Sequence, residues 1–572
     1  MKLSDYIVEF LIAQGVTDIF GYPGGMVTHF MDSLDRYRDK ISAHVNYHEQ
    51  ASAFCACGYA QAGGPFGVAY ATSGPGATNL ITGIANAYFD SIPTLFITGQ
   101  VNTYEARGKM PLRQKGFQET DIVAIVTPVT KYAVRIDDPN QIRYVLEKAV
   151  YLCSSGRPGP VLLDVPMDIF RADIDIPVIK KFCQPESEKP DYTFIAEEML
   201  GLLKNAKRPV ILAGGGIVTS GCASEFRQIA HLLNVPVVTS MIGCGILATD
   251  DLLNYGFIGA YGNRSANFII CNSDLIISLG SRLDCRQTGN DLTKFAPDTV
   301  IYRIDIDANE FSNRISNKEI QVTADLRDLL PAILKRTQLG VYPTWITKCN
   351  RIKKLLGNLD QSKPTEMIAQ LGSCLPNDAV ITTDVGQNQV WTAQCLMHSE
   401  QQMVLFSGGH GAMGYALPAA IGAYFSQRRA TICIVGDGGL QMNIQELEFV
   451  ARESIPLKII LINNNSLGMI RHFQEMYFDS NFMQTKAEKG YLTPNFEAIA
   501  KAYGLRYGHC ETALGIEQYK PMLMDQQTLF LEVQLDDTTY VLPKLSMGKP
   551  IYDQDPLMSR NLLQTLIDIC YD

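Results

Sequence analysis

The turn Gly436-Asp437-Gly438-Gly439 and the paired asparagines Asn463-Asn464 constrain this chain more than any other feature. An apolar, strand-like run over 430–435 leads into the turn, and a helical stretch over 443–453 follows it. A second apolar run, 457–462, ends on the asparagines. Strand, turn, helix and strand place both turns at the carboxyl edge of one parallel sheet, where open α/β folds bind ligands. One carboxylate and one amide oxygen there suit a hard dication that keeps positions for water or phosphate oxygens. Glycines let backbone N–H groups approach phosphates, and a helix start favours their charge. The pattern points to a magnesium-bridged diphosphate. A GDGG turn alone is common for conformational reasons, and no GxxxxGK[ST] P-loop is present. The weight lies in the separation of 27 positions between Asp437 and Asn464, which holds a complete helix–strand unit.

The 572 residues allow three domains or so of ordinary size. With 46% hydrophobic and 19% charged residues the chain reads as globular rather than disordered. A net charge of −10 argues against a nucleic-acid or anionic-membrane partner. No apolar run approaches the length that spans a bilayer. The first fifteen residues lack a signal peptide's basic start, and Asp5 and Glu9 suit an amphipathic helix instead. Fourteen scattered cysteines without a CxxC pair read as reduced residues of a cytoplasmic protein.

Strand-like runs alternate with helical stretches throughout, which predicts an α/β protein of three doubly wound parallel-sheet domains. The expected bounds are 1–180, 191–338 and 364–545, with a tail over 546–572. Polar, proline-bearing residues 183–190 and the segment 339–363 read as linkers.

The order Gly21-Tyr-Pro-Gly-Gly25, His48-Glu49-Gln50, the ATSGPGATN run ending at Asn79, ITGQV ending at Val101 and Phe117-Gln118-Glu119 resembles the acetolactate synthase branch of the thiamine diphosphate enzymes. The resemblance runs over nearly the whole chain and implies a catalytic, large-subunit type. It implies a pyrimidine-binding domain, a central domain and a diphosphate-binding domain, in that order. It also implies that Glu49 hydrogen-bonds N1′ of the cofactor's aminopyrimidine, with Gly25 nearby. Val385, Gly386, Gln387 and Asn388, and the SGGHGAMG run with Gly411 and Met413, match the cofactor cradle. There Gly411 offers its carbonyl to the pyrimidine and Met413 wedges the cofactor into a bent form. Asp437, Asn464 and the Ser466 carbonyl become magnesium ligands. Gly436, Gly438 and Gly439 bed the diphosphate, and Leu467, Gly468 and Met469 cover it. Gln118 is expected in the active site, with Lys131, Phe117 and Phe473 as substrate contacts. Such sites are shared between two subunits, so a homodimer or homotetramer is expected; a small regulatory subunit is compatible with the sequence but not indicated by it.

In the middle block Gly215, Gly216, Thr239, Gly262, Arg282, Asp305 and Asp325 resemble positions that hold FAD in biosynthetic acetolactate synthases, which implies a structural flavin. Tyr261 and Cys285 depart from the family's usual His and Asp. The acceptor side departs further: Phe473 stands where a Trp is usual, Met26 where a small Ala is usual, and His410 replaces an apolar residue. The segment 102–116 is longer than usual and carries Arg107, Lys109, Arg113 and Lys115. A basic loop beside a pocket suits an anionic acceptor. The reading is therefore a carboligase that decarboxylates pyruvate and transfers a two-carbon unit to an acceptor carbonyl. The alternatives are transfer to an anionic acceptor such as a nucleotide-linked keto sugar, simple decarboxylation, and a non-catalytic regulatory paralogue. Intact Glu49, Asp437 and Asn464 argue against the last.

Overall fold

The structure, a computed structural model, describes residues 1–185, 190–337, 340 and 342–572; parts of both expected linkers lie outside the described residues. Three six-stranded sheets follow one another along the chain, and every recorded strand pair is parallel. The first sheet runs Ser42–Val45, Asp18–Gly21, Gly67–Ala71, Thr94–Gln100, Pro160–Pro166, Tyr132–Arg135 from edge to edge. The second runs Glu319–Thr323, Val300–Asp305, Leu275–Leu279, Pro209–Ala213, Val237–Thr239, Asn254–Phe257. The third runs Met403–Phe406, Val380–Thr383, Thr431–Gly436, Lys458–Asn463, Leu529–Gln534, Arg506–Cys510. Inner strands such as Gly67–Ala71 and Lys458–Asn463 are buried at every residue. That is what continuous apolar runs give when helices cover both faces of a parallel sheet.

The first and third units meet through helices Glu49–Gln61 and Ala416–Gln427, which touch backbone to backbone. A Cβ on Gly58 would lie 2.1 Å from the Ala419 carbonyl oxygen, and one on Gly422 would lie 1.8 Å from that of Cys55. Only glycine fits either position. The two units consequently share one core, in which Ala53, Ala56, Ala416 and Ala420 are all buried.

The tail returns to the middle unit. Leu545 N donates to the Ala260 carbonyl at 2.7 Å, and Arg264 donates to the Gln554 and Pro556 carbonyls at 3.0 and 2.8 Å. Its final helix, Arg560–Tyr571, buries Leu566 and Ile569 in the same core as Phe268 and Ile352.

The helix expected over 443–453 is corrected to two, Asp437–Met442 and Glu446–Arg452, so the helix opens on the aspartate itself. Asn443 interrupts them at φ −136°, with its side-chain amide donated to the Gly414 carbonyl at 2.8 Å. Asparagine that bonds backbone outside its own helix competes with helix continuation. All fourteen cysteines are free. Among the described residues no helix is long and apolar enough to cross a membrane.

Candidate active site

Asp437 and Asn464 follow neighbouring strands of the third sheet, Thr431–Gly436 and Lys458–Asn463. The Asn464 backbone N–H donates to Asp437 Oδ2 at 3.1 Å, and the Tyr491 hydroxyl donates to Asp437 Oδ1 at 2.7 Å. Burial pushes the Asp437 carboxyl up to about 6, against the lowering effect of those donors. The Asn464 amide nitrogen is committed to Gln387 Oε1 at 2.7 Å, and its side-chain oxygen accepts from Ser466 N at 3.3 Å, so that oxygen is the atom that could face a metal. Among the described residues no group of three or more His, Cys, Asp or Glu is placed to hold a metal ion. A metal here would depend on carboxylate, amide and carbonyl oxygens together with the ligand's own phosphates, a hard donor set that fits magnesium.

The turn is bare where side chains converge. A Cβ on Gly438 would lie 2.7 Å from Leu467 Cδ2, 3.0 Å from Met413 Cε and 3.1 Å from the Tyr491 hydroxyl oxygen. Gly411 and Gly414, at φ +67° and +81°, flank Met413 with backbone turns that favour glycine. Asp384, fully buried at the end of strand Val380–Thr383, accepts from Gly414 N at 2.8 Å and Asn388 Nδ2 at 3.2 Å. A Cβ on Gly439 would lie 2.3 Å from Asp384 Oδ2, and one on Gly436 would lie 3.2 Å from Asn388 Oδ1. Asp384 therefore ties the Asn388 segment to the Met413 turn and packs so closely against Gly439 that no side chain fits there. Burial raises its carboxyl to about 7.

Glu49 is the first residue of helix Glu49–Gln61 in the first unit and is only 8% exposed. Its Oε2 accepts from Asn79 Nδ2 at 2.9 Å, and a Cβ on Gly76 would lie 3.2 Å from its Oε1. Gly25 opens a short turn with nothing within 4 Å of a would-be Cβ. Gln118, at φ +63°, packs its Cβ against Gly74, while Phe117 is 80% exposed. The segment behind them is tied down by Gln100, which donates to the Thr120 carbonyl at 2.8 Å and to Asp164 at 3.0 Å. Lys131 lies apart from this group, with its ammonium on the Ser155 and Arg157 carbonyls at 2.6 and 2.7 Å. Phe473 is half-exposed on helix Gly468–Tyr477, with Tyr477 and Lys544 beside it.

The basic segment closes on itself in part. Arg107 and Lys115 donate to the Leu112 and Tyr104 carbonyls, and Glu119 accepts from the Arg107 and Lys115 backbone amides. Lys109 and Arg113 are exposed.

A cavity of about 570 Å³ opens where the three units meet, lined by Gly215, Gly216, Arg282, Asp305 and Asp325 at one end and by Val385, Gly411 and Met469 at the other. Thr239 and Gly262 are outside that lining; their neighbours Ser240 and Tyr261 supply it. The Arg282 carbonyl is held at 2.6 Å by the wholly buried Arg303. His410 stacks on Phe89 with centroids 5.6 Å apart. Asp90 accepts from Gly409 N at 2.6 Å through Oδ1, but its Oδ2 is buried without a partner. An orphaned carboxylate oxygen, bare glycines and this volume fit a large cofactor with polar groups, as FAD is.

Three residues escaped the sequence reading. Asp384 directly precedes the Val385-Gly386-Gln387-Asn388 motif, and Asn79 closes the ATSGPGATN run, so adjacency could have found both. Tyr491 offered no local signal.

Comparison with known proteins agrees with this geometry. Three thiamine pyrophosphate enzyme models match in order: the N-terminal TPP binding domain over residues 1–125, the central domain over 196–333, and the C-terminal TPP binding domain over 384–533. The chain is 36% identical to the acetolactate synthase large subunit of Lactococcus lactis, covering 95% of this chain and 94% of the relative. It is 36% identical to a probable acetolactate synthase large subunit of Methanocaldococcus jannaschii, covering 96% and 94%. It is 34% identical to the acetolactate synthase isozyme 2 large subunit of Escherichia coli, covering 96% and 98%.

Proposed function

The chain belongs to the thiamine pyrophosphate enzyme family, and from that membership we propose a carboligase of the acetolactate synthase type that decarboxylates pyruvate and transfers the two-carbon remainder to an acceptor carbonyl. The observation that carries the reading is the 3.1 Å link between Asn464 N and Asp437 Oδ2 at the edge of the third sheet, with Glu49 preserved in the first unit. When bound, thiamine diphosphate supplies the electron sink that lets a 2-keto acid lose carbon dioxide. Asp437, Asn464 and the Ser466 carbonyl would hold the magnesium for its diphosphate. Met413 and Leu467 converge over Gly438 and fix how the cofactor lies. Glu49 holds the proton at N1′ of the pyrimidine, and its near-complete burial keeps that exchange out of water. Gln118 and Phe473 serve the substrate side.

Among the described residues the side-chain hydrogen-bond partner of the Glu49 carboxylate is Asn79 of its own unit, and the cofactor-bearing unit that Glu49 serves is that of a second chain. The active form is a homodimer or a larger homo-oligomer. FAD would be held in the cavity lined by Gly216, Arg282 and Asp305, in a structural role because the reaction has no net redox change. Fourteen free cysteines suit a reducing, cytoplasmic setting.

A nucleotide-linked keto sugar as acceptor remains second, since Arg107 and Lys115 of the basic loop spend their side chains on the loop's own carbonyls. Product analysis separates the readings. Pyruvate alone should give acetolactate, and the purified protein should be yellow. Acetylated keto sugar in the absence of acetolactate would replace the proposal with its rival; free acetaldehyde as the sole product would make the protein a decarboxylase.

A further inference from the structure

Glu446, 400 positions from Asn46, is wholly buried and spends both carboxylate oxygens on the loop that precedes Glu49. Its Oε2 accepts from Asn46 Nδ2 at 2.9 Å, and its Oε1 accepts from Tyr47 N at 2.8 Å. The same short helix grips this loop again from its far end, where Arg452 donates to the Val45 carbonyl at 2.9 Å. On the other side of Glu49, Gln50 Oε1 accepts from Asn443 Nδ2 at 3.3 Å. Residues 443–452 thus hold both flanks of Glu49 without touching its carboxylate. A buried carboxylate is costly unless fully paired, and here the pairing is with a loop rather than with a cation.

The other end of this clasp is Asp437. Helix Asp437–Met442 leads through Asn443, whose backbone N–H bonds the Leu440 carbonyl, to Glu446, whose N–H bonds the Asn443 carbonyl. We propose that residues 437–446 are a strut between two active sites, with Glu446 as the positioning residue that sets Glu49 for the cofactor of one site while Asp437 anchors the cofactor of the other. The proposal rests on the shared-site reading given above. A carboxylate placed an ångström off its proton loses on the order of 100-fold in rate, so Glu446→Gln should lower kcat by that order with little change in KM for pyruvate. Glu446→Asp, which keeps the charge on a shorter arm, should recover part of it.

Hybrid dimers from differently tagged chains test the direction of the coupling. Glu49→Gln paired with Asp437→Ala is the control: one site receives both defects and the other none, so about half of wild-type activity returns. Glu446→Gln should behave as Glu49→Gln does, regaining about half of the activity when paired with Asp437→Ala and none when paired with Glu49→Gln. Recovery with Glu49→Gln but not with Asp437→Ala would mean that Glu446 serves the cofactor of its own unit, and overturns the proposal. Recovery with neither would make it a general fold element, and also overturns it, as would full activity of the homodimeric variant. No recovery in the control would remove the shared-site reading, and the strut with it. If Glu446→Gln fails to assemble, Glu446→Asp takes its place in the same crosses.

Discussion

The Tyr491 hydroxyl lies 2.7 Å from Asp437 Oδ1, donating to the carboxylate proposed to hold the metal. The bond crosses 54 positions of sequence and orients Asp437 from outside its own turn. Partners behind a metal ligand are commonly worth 10- to 100-fold in metal affinity. Tyr491→Phe should therefore raise the magnesium concentration for half-maximal activity by about 10-fold or more, at nearly unchanged kcat under saturating metal. Magnesium titration of activity checks it, and an unchanged midpoint would detach Tyr491 from the site.

Gly438 gives a steric counterpart. Alanine would put a methyl 2.7 Å from Leu467 and 3.0 Å from Met413, both closer than carbon atoms normally approach. Both atoms are the far ends of flexible side chains, so the strain is relieved by moving Leu467 and Met413 off the turn proposed to bed the diphosphate, at little cost to the fold. Gly438→Ala should weaken thiamine diphosphate binding by about 10- to 100-fold, while the cofactor-free protein unfolds near the wild-type midpoint. Cofactor titration by intrinsic fluorescence, beside a denaturant melt, separates the two effects.

Much of the architecture was legible because its carriers are local. Short apolar runs ending in turn residues mark strands such as Thr431–Gly436 and Lys458–Asn463 within a residue of their observed ends. Asp437 and Asn464 terminate adjacent strands, so their meeting follows from topology alone. Tyr491 and Glu446 were not legible, since each reaches a partner far along the chain through a loop whose path no periodicity encodes. The break at Asn443 was missed for the same reason: its side chain answers to Gly414, 29 positions away. In the middle unit the glycines Gly215 and Gly216 fell on the cavity wall, whereas at Thr239 and Gly262 the neighbouring residue lines it.

Asp164 sets a pH dependence. It is buried beneath Gln100 and Thr98, and loss of solvation raises its carboxyl to about 7, with those two hydrogen bonds and Arg135 opposing. An unfolded aspartate loses its proton near 3.9. Between those values the folded chain holds the extra proton, so the contribution to stability is present at low pH and is lost as pH rises through 7. Asp164→Asn removes the ionisation. Relative to wild type, the variant should gain stability between pH 5 and pH 8 by as much as about 3 kcal/mol. Denaturant midpoints at the two pH values give the comparison, and parallel behaviour of the two proteins would show that Asp164 is ionised throughout.

The central claim is carboligation, and carbon dioxide stoichiometry tests it most directly. With pyruvate as the only organic substrate, thiamine diphosphate and magnesium present, a carboligase joining two pyruvates releases one carbon dioxide for every two pyruvates consumed. That ratio is the predicted result, and Glu49→Gln should abolish the release. One carbon dioxide per pyruvate, with acetaldehyde accumulating, would contradict the account.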